Sequence, residues 1–360
     1  MPTASIFAER FASQGLAGPP AREAADVAGR LLAVQGQDPR GARLAIRARS
    51  EGLAAADVDR ALSEERSLLI TWLNRGTLHL VRSEDYPWLQ MLTTPPLLTS
   101  CSRRLHQEGV TAQEGEKAVK TIERSLAEEG PLTRHQLRKR LDSAGVPTAG
   151  QALVHLLFLA AVRGVVVRGP MAGRDHAYVL VADWLDRAKP VDRDPALAEL
   201  ARRYLVGHAP ADDRDLARWA GLPLRDARAG LAAIASELVE REDGLVHLAK
   251  CPPAAEVPGP RLLGAFDPLL LGWTSRKLIL GPHTHLVTMN GIFRPFAMVR
   301  GRAVATWKLN RGKVTLEPLG RISKQASAAL AADAADVERF MAAPRHNQEE
   351  KDHGTASSPL

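Results

Sequence analysis

The sequence predicts a mainly α protein with added β structure, built as tandem helix-and-hairpin units followed by a small C-terminal β-barrel. Three observations lead there. Apolar residues recur at helical spacing and then give way to a strand–turn–strand signal, and this succession occurs three times before Cys251. A Pro-rich linker, Pro252 to Pro260, ends the pattern. Beyond it short β-rich runs dominate as far as Val314. Helices closed by a hairpin make a winged-helix unit, so the predicted class is tandem winged-helix units followed by a barrel.

The first unit covers residues 1–110. Residues 22–62 read as two helices: Ala24, Ala25, Val27, Ala28, Leu31 and Leu32 recur at helical spacing, and Asp57 to Leu62 repeats it. Leu68 to Leu73 and Thr77 to Val81 then flank Asn74-Arg75-Gly76, a hairpin signal with Gly at the turn. The second unit, 111–190, has helical runs at Ala118–Ala127, at Arg134–Leu141 behind Thr133 as N-cap, and at Gln151–Val162. Its wing is Val165–Arg168 and Ala177–Val181 around Gly169–Asp175. The third, 191–251, has Ala196–Leu205, Asp213–Ala220 and Leu224–Ala235, with a short wing at Leu238–Arg241 and Leu245–Leu248. The barrel, 260–325, is read from Lys277–Leu280, Leu286–Met289, Pro295–Val299, Ala303–Lys308 and Lys313–Leu316, with turns at Gly301 and Gly312. A closing helix falls in 326–344, from Ala326 to Phe340, and a polar tail in 345–360 reads as disordered.

Composition narrows the function classes. No stretch is long and apolar enough for a membrane span, and no signal pattern opens the chain, so neither membrane nor export is expected. Two cysteines make no disulfide framework, which points to the cytoplasm. The net charge of +7 is unevenly placed: residues 1–100 balance eleven Arg against eleven acids. Residues 255–325 set eleven Lys or Arg against Glu256, Asp267 and Glu317. Such a segment suits a polyanion, whose counterions it would release; a basic surface that only aids solubility has the same composition. His283-Thr284-His285 and Cys251 lack the spaced partners of a metal site, and no P-loop or dinucleotide fingerprint occurs, so no metal or cofactor is expected. The six tryptophans are spread evenly and read as core.

Three blocks carry candidate chemistry. Gln35-Gly36-Gln37 follows the apolar run Leu31–Val34 and precedes Asp38-Pro39. It reads as two neutral amides at the end of a buried helix, before an Asp-Pro stop. On a helix, positions i and i+2 diverge by about 200°, so both amides meet one ligand only where the helix ends or bends. Amides supply donors and acceptors without a strong base. A solvated helix end has the same spacing. Asp38 either begins the loop or orients an amide. In Arg75-Gly76-Thr77-Leu78-His79, alternation puts Thr77 and His79 on one strand face; surface residues on any hairpin would alternate likewise. Arg300-Gly301-Arg302 is a basic tip, with Lys308, Arg311 and Lys313 behind it. Such a tip fits a minor groove, or is a solvated turn.

The stretches Phe11–Gly18, Leu32–Pro39, Thr71–Val81, Phe266–Trp273, Gly291–Pro295 and Gly301–Trp307 together resemble the winged-helix DNA glycosylases of the AlkZ type. The resemblance spans roughly residues 5–325. That family is associated with azinomycin resistance, a form of antibiotic self-resistance, and with unhooking of interstrand crosslinks. It implies that Gln35 and Gln37 are the catalytic pair, since they fit its Gln-apolar-Gln signature; Gly36 departs from the larger apolar residue usual between them. It also places Arg75, Thr77 and His79 near a lesion-binding cleft.

The implied partner is double-stranded DNA carrying alkylated or crosslinked purines, bound by a cofactor-free monomer, with Arg300, Arg302 and Lys308 as further DNA contacts. The implied reaction is excision of an N7-alkylated purine by water. Such a base already carries positive charge and leaves neutral, so one amide to hold water and one carbonyl to face the cationic sugar suffice. Gln35 is assigned the water and Gln37 the electrostatic role, or the reverse. A monofunctional enzyme is expected because a lyase needs an amine and the first lysine is Lys117; Lys308, Lys313 and the N-terminal amine are the alternative nucleophiles. The alternative is a winged-helix DNA-binding regulator without chemistry.

Overall fold

The second and fourth helices pack against the first hairpin, which belongs to the larger sheet. The computed structural model describes residues 2–342 apart from Arg174, 186–190 and 251–256. Cys251, the start of the Pro-rich linker and the 345–360 tail therefore lie outside the described residues. The first segment runs α1 (Pro2–Ser13), α2 (Ala24–Leu31), β1 (Val34–Gln35), α3 (Pro39–Arg47), α4 (Ala55–Ser63), β2 (Leu68–Leu73), β3 (Thr77–Arg82), α5 (Tyr86–Thr93) and α6 (Pro95–Gln107). The second runs α7 (Ala112–Glu129), β4 (Leu132–Thr133), α8 (Arg134–Ser143), α9 (Ala152–Val162), β5 (Val166–Ala172), β6 (Asp175–Leu180) and α10 (Val181–Trp184). The third has α11 (Arg193–His208), α12 (Asp213–Ala220), α13 (Leu224–Ala233), β7 (Leu238–Glu240) and β8 (Val246–Leu248). The last has β9 (Arg261–Leu263), α14 (Lys277–Leu280), β10 (Phe296–Val299), β11 (Arg302–Asn310), β12 (Lys313–Pro318) and α15 (Lys324–Met341).

Helix-and-hairpin repeats thus form, consistent with winged-helix units. Local chemistry explains several starts. Thr111 with Glu114, and Thr133 with Gln136, close capping boxes at α7 and α8. The first two wings do not stay separate. They join one six-stranded sheet of order β1-β3-β2-β5-β6-β4, bridged at Ile70 and Arg168. Its face bearing Ile70, Trp72, Leu78 and Leu80 packs into a core shared with α6 to α9. The opposite face, bearing Leu69, Leu73 and Val81, packs against α1, α5, α11 and α12.

Sequence expectations needed correction at three places. The apolar run ends earlier than read: Leu32 takes φ 62 and ψ −43, a γ-turn in which the Ala33 amide donates to the Leu31 carbonyl at 2.7 Å and which is strained for a bulky L-residue, and the chain then turns extended. Val34 pairs with Leu80 and Gln35 with His79, so the glutamines follow a strand rather than a helix end. Asp38-Pro39 is not a stop but a start. Asp38 accepts from the Arg40 amide at 3.1 Å and Pro39 occupies the first helical position of α3, which the sequence reading missed.

The third correction concerns the C-terminal segment. Lys277–Leu280 is a helical turn and Leu286–Met289 is no strand, because short apolar runs have no diagnostic period. The remaining strands make a four-stranded antiparallel sheet of order β12-β11-β10-β9, in which the expected barrel closure is not seen among the described residues. Its two tight turns are Arg300-Gly301 and Arg311-Gly312, each with positive φ at both positions, the twist-matched hairpin turn. α15 closes the sheet through Leu330, Ala334 and Val337 around Trp307.

Two arginines fasten α3 and the residues just after it to this last segment. Arg49 makes a fully buried fork with Asp267 at 2.8 and 3.0 Å. Arg47 grips Asp333 at 2.6 Å and Asp336 at 2.8 Å on α15. Gly41, in the first turn of α3, allows the approach, since a Cβ there would strike the carbonyl oxygen of Ala265. The strand carrying Gln35 is therefore held by the first wing on one side and continues into an anchored helix on the other.

Candidate active site

Gln35 stands at the edge of the six-stranded sheet, buried at 7 % exposure. Directly opposed residues of antiparallel strands share a face, so the register Gln35–His79–Thr71 makes a row across β1, β3 and β2. Thr77, two residues before His79, joins that face. The extended pairing runs past β1: the Gly36 amide donates to the Leu78 carbonyl at 2.7 Å, and the Leu78 amide donates to Gln37 Oε1 at 3.4 Å. An extended chain brings i and i+2 to one side, whereas a continuous helix would set them about 200° apart. Gln37 is exposed, so the pair spans from sheet face to surface.

Arg75 braces the row. Its Nη2 donates to Gln35 Oε1 at 3.4 Å, and its Nη1 donates to the carbonyls of Trp219 and Arg218 at the end of α12. The hairpin tip and α12 meet because residue 221 is glycine, left-handed at φ 70, where a Cβ would lie 2.7 Å from the Asn74 carbonyl oxygen. Burial, then the charges of Arg218 and Arg276, lowers the Arg75 pKa to about 10. Arg75, Arg218 and Arg276 have no carboxylate partner among the described residues. A charge cluster left open this way suits phosphate.

His79 Nδ1 lies 2.8 Å from the Thr77 carbonyl. A carbonyl only accepts, so that nitrogen carries the proton and Nε2 is left as an acceptor. Burial, reinforced by Arg75, lowers the ring pKa to about 3, keeping it neutral at physiological pH. The buried hydroxyls of Thr71 and Thr77 and the amide of Asn74 find no protein partner. Buried polar groups are rarely left unused, so this face retains hydrogen-bonding capacity that the fold itself does not spend. Together these groups can orient water and present carbonyl dipoles, but no strong base stands among them.

The other expected DNA contacts sit apart. Arg300 and Arg302 are exposed at the β10–β11 turn, whose Gly301 lies against Phe7 and Phe11 of α1. Lys308 is held by Glu317 at 2.7 Å. Among the described residues none of these three makes a hydrogen bond or ion pair with Gln35. A cleft of about 740 Å³ lined by Ser67, Arg82 and Trp184 lies at the far end of β2 and β3, away from the hairpin tip and the glutamines. Sequence reading missed Thr71, Arg218 and Arg276. Thr71 stood inside a block already singled out, but the register across three strands was needed to place it beside Gln35. Arg218 and Arg276 carried no signal beyond their charge.

Comparison with known proteins now adds to this geometry. The family model for DNA glycosylase AlkZ-like proteins matches residues 28–340. An interstrand DNA cross-link repair glycosylase of Streptomyces sahachiroi is 29 % identical, with 93 % of this chain and 95 % of that protein covered. The solved structure of Streptomyces sahachiroi DNA glycosylase AlkZ superposes with a TM-score of 0.78 at 26 % identity, covering 93 % of this chain and 96 % of that one.

Proposed function

The chain belongs to the AlkZ-like DNA glycosylases, and from that premise we propose that it excises N7-alkylated purines from duplex DNA as a monofunctional enzyme, interstrand crosslinks included. Family membership sets aside the regulator without chemistry. The observation that carries the reading is the row Gln35–His79–Thr71 beside Gln37: neutral, polar and without a carboxylate. A base that must be protonated before leaving needs an acid. An N7-alkylated purine is already cationic, and the site is built for that case.

In this reading the bond from the sugar C1′ to the purine N9 breaks with its electron pair going to the purine, which leaves uncharged. Gln35, buried and braced by Arg75, holds the water whose oxygen bonds to C1′ while its proton passes to solvent. Gln37, exposed beside it, turns its carbonyl dipole to the cationic sugar. Both glutamine contacts are long, 3.4 Å, so substrate can replace them at little cost. Arg75, Arg218 and Arg276 take the flanking phosphates, whose charge offsets theirs and adds to the stabilisation of the sugar cation. The enzyme acts as a monomer in the cytoplasm, a setting that fits the free thiol of buried Cys101. Relief from a DNA-alkylating antibiotic belongs to the same reading, because that relative is a cross-link repair glycosylase.

The test is incubation with duplexes carrying N7-methylguanine or an N7-linked interstrand crosslink. The expected products are free base, alkali-labile sites and separated strands, with no borohydride-trapped protein–DNA adduct. An adduct, or strand scission before alkali, overturns the water mechanism; an unchanged crosslink overturns the unhooking.

A further inference from the structure

The stretch Phe266–Trp273 stands out in the sequence, yet no residue of it belongs to the row beside Gln35. It closes instead on His208, the last residue of α11. The His208 ring is fully buried in an aromatic box. It stacks on Tyr204 at 4.8 Å, lies 5.2 Å from Trp219 and meets Trp273 edge-on at 5.9 Å. Gly272 completes the box, since a Cβ there would lie 2.5 Å from His208 Cδ2. The Tyr204 hydroxyl donates to the Gly272 carbonyl at 2.7 Å, and Trp273 Nε1 donates to the His208 carbonyl at 3.0 Å. His208 Nδ1 lies 3.2 Å from the Tyr204 carbonyl and so carries the proton. Nε2 is then a bare acceptor, with no hydrogen-bond partner among the described residues. An unmade bond of this kind costs stability that an apolar side chain of the same size would keep. Stability alone therefore does not account for a histidine here.

The position of the box ties it to the glutamines. Trp219, one of its walls, is next to last in α12. The Trp219 carbonyl accepts from Arg75 Nη1, and Arg75 Nη2 donates to Gln35 Oε1. The start of α12 is pinned just beyond the same stretch: Asp215 accepts from the Thr274 amide at 2.8 Å and from its hydroxyl at 2.7 Å. α12 is thus fixed near its start by Thr274 and near its end by the ring of His208. A closely packed interior transmits small displacements, so a shift of the Trp219 ring carries its carbonyl with it. Burial, then the charges of Arg49 and Arg75, lowers the His208 pKa to about 3. The ring stays neutral and adds no repulsion to Arg75.

We propose that His208 is a positioning residue: it seats Trp219, and through the Trp219 carbonyl and Arg75 it sets the orientation of Gln35. The proposal rests on the glycosylase reading above. Its test uses the full chain with His208→Asn, which keeps a donor for the Tyr204 carbonyl and loses the ring, and Gly272→Ala, which crowds the ring and removes nothing. Each is also made in an Arg75→Met background. Single-turnover excision of N7-methylguanine at saturating enzyme should fall about tenfold in each single variant, less than the roughly 10² that a misplacement of about 1 Å costs. In the Arg75→Met background the same changes should cost less than about twofold, because the link they act through is gone. Wild-type rates in both single variants, or equal losses in both backgrounds, overturn the proposal. Hydrogen exchange reads the link without chemistry. The Gly36 and Leu78 amides tie the glutamine segment to β3 and should exchange at least about threefold faster in either variant, while those of β4 and β6 stay unchanged. Faster exchange confined to α11 and α12, or raised equally in β4 and β6, overturns the positioning role. Faster exchange at Gly36 and Leu78 supports it even if the wild-type chain excises no lesion, an outcome that overturns the glycosylase reading alone.

Discussion

Replacing each catalytic glutamine by alanine separates chemistry from folding, because the two sit in different environments. Gln37 is exposed, and among the described residues its side chain makes one hydrogen bond, accepted from the Leu78 amide at 3.4 Å. Gln37→Ala should therefore change stability by no more than about 0.5 kcal/mol. Gln35 is buried, but Arg75 keeps the carbonyls of Trp219 and Arg218 when Gln35 Oε1 is lost. One long hydrogen bond is worth at most about 1 kcal/mol, so Gln35→Ala should unfold only slightly earlier. Against this, one preorganised group facing a developing charge is commonly worth about 10² in rate, near 3 kcal/mol. Single-turnover excision of N7-methylguanine at saturating enzyme should fall at least about tenfold in each variant. The double variant should lose less than the product, since both amides serve one transition state. Affinity for undamaged duplex should stay the same. Wild-type excision rates in both variants would refute the assignment, as would a loss that tracks affinity alone.

Three further outcomes follow from charges elsewhere. Arg300→Ala with Arg302→Ala should weaken binding to any duplex and flatten the slope of log affinity against log salt by about one unit per lost phosphate contact; Lys308→Ala, already paired with Glu317, should change it less, and an unchanged slope in the double variant excludes the turn from DNA binding. Asp267→Ala leaves Arg49 buried without its partner and should cost about 3–5 kcal/mol in denaturant unfolding, a cost that near-wild-type stability would contradict. Burial lowers the pKa of His79 and His208 to about 3 and of His176 to about 4, so the fold holds them neutral while the unfolded chain protonates near 6.5. The stability they contribute is complete above about pH 6.5 and is lost as pH falls toward 4 and below; unfolding temperature should be flat above neutrality and decline under pH 6, and a flat profile to pH 4.5 would mean the rings are charged or exposed.

Much of the fold was legible because it is written in local patterns. The first two wings, the caps at Thr111 and Thr133 and the closing helix rest on periodicity, turn residues and short-range hydrogen bonds. The misreadings share a cause. Leu31 to Val34 looks like the end of a helix, yet Leu32 takes a positive φ that local sterics disfavour, and tertiary packing sustains it. Asp-Pro favours both ends of helices, and only the presence of α3 shows which end this one marks. Short apolar runs such as Leu278–Leu280 fit strand and helix alike until their neighbours are known.

Order and composition already fix which residue types are available: two amides followed by one carboxylate, Asp38, a lysine-free N-terminal stretch and a C-terminal segment free of acid between Asp267 and Glu317. These follow from order and composition, which folding does not alter. Tertiary structure alone decided what those residues face. Gln35 became buried opposite a neutral His79 because β1 joins the first wing, an association between segments more than forty residues apart. Arg75, Arg218 and Arg276 came together because the first wing packs on α12 and the last segment closes over both. Side-chain chemistry is local, whereas burial and charge environment are sums over contacts that sequence order does not contain.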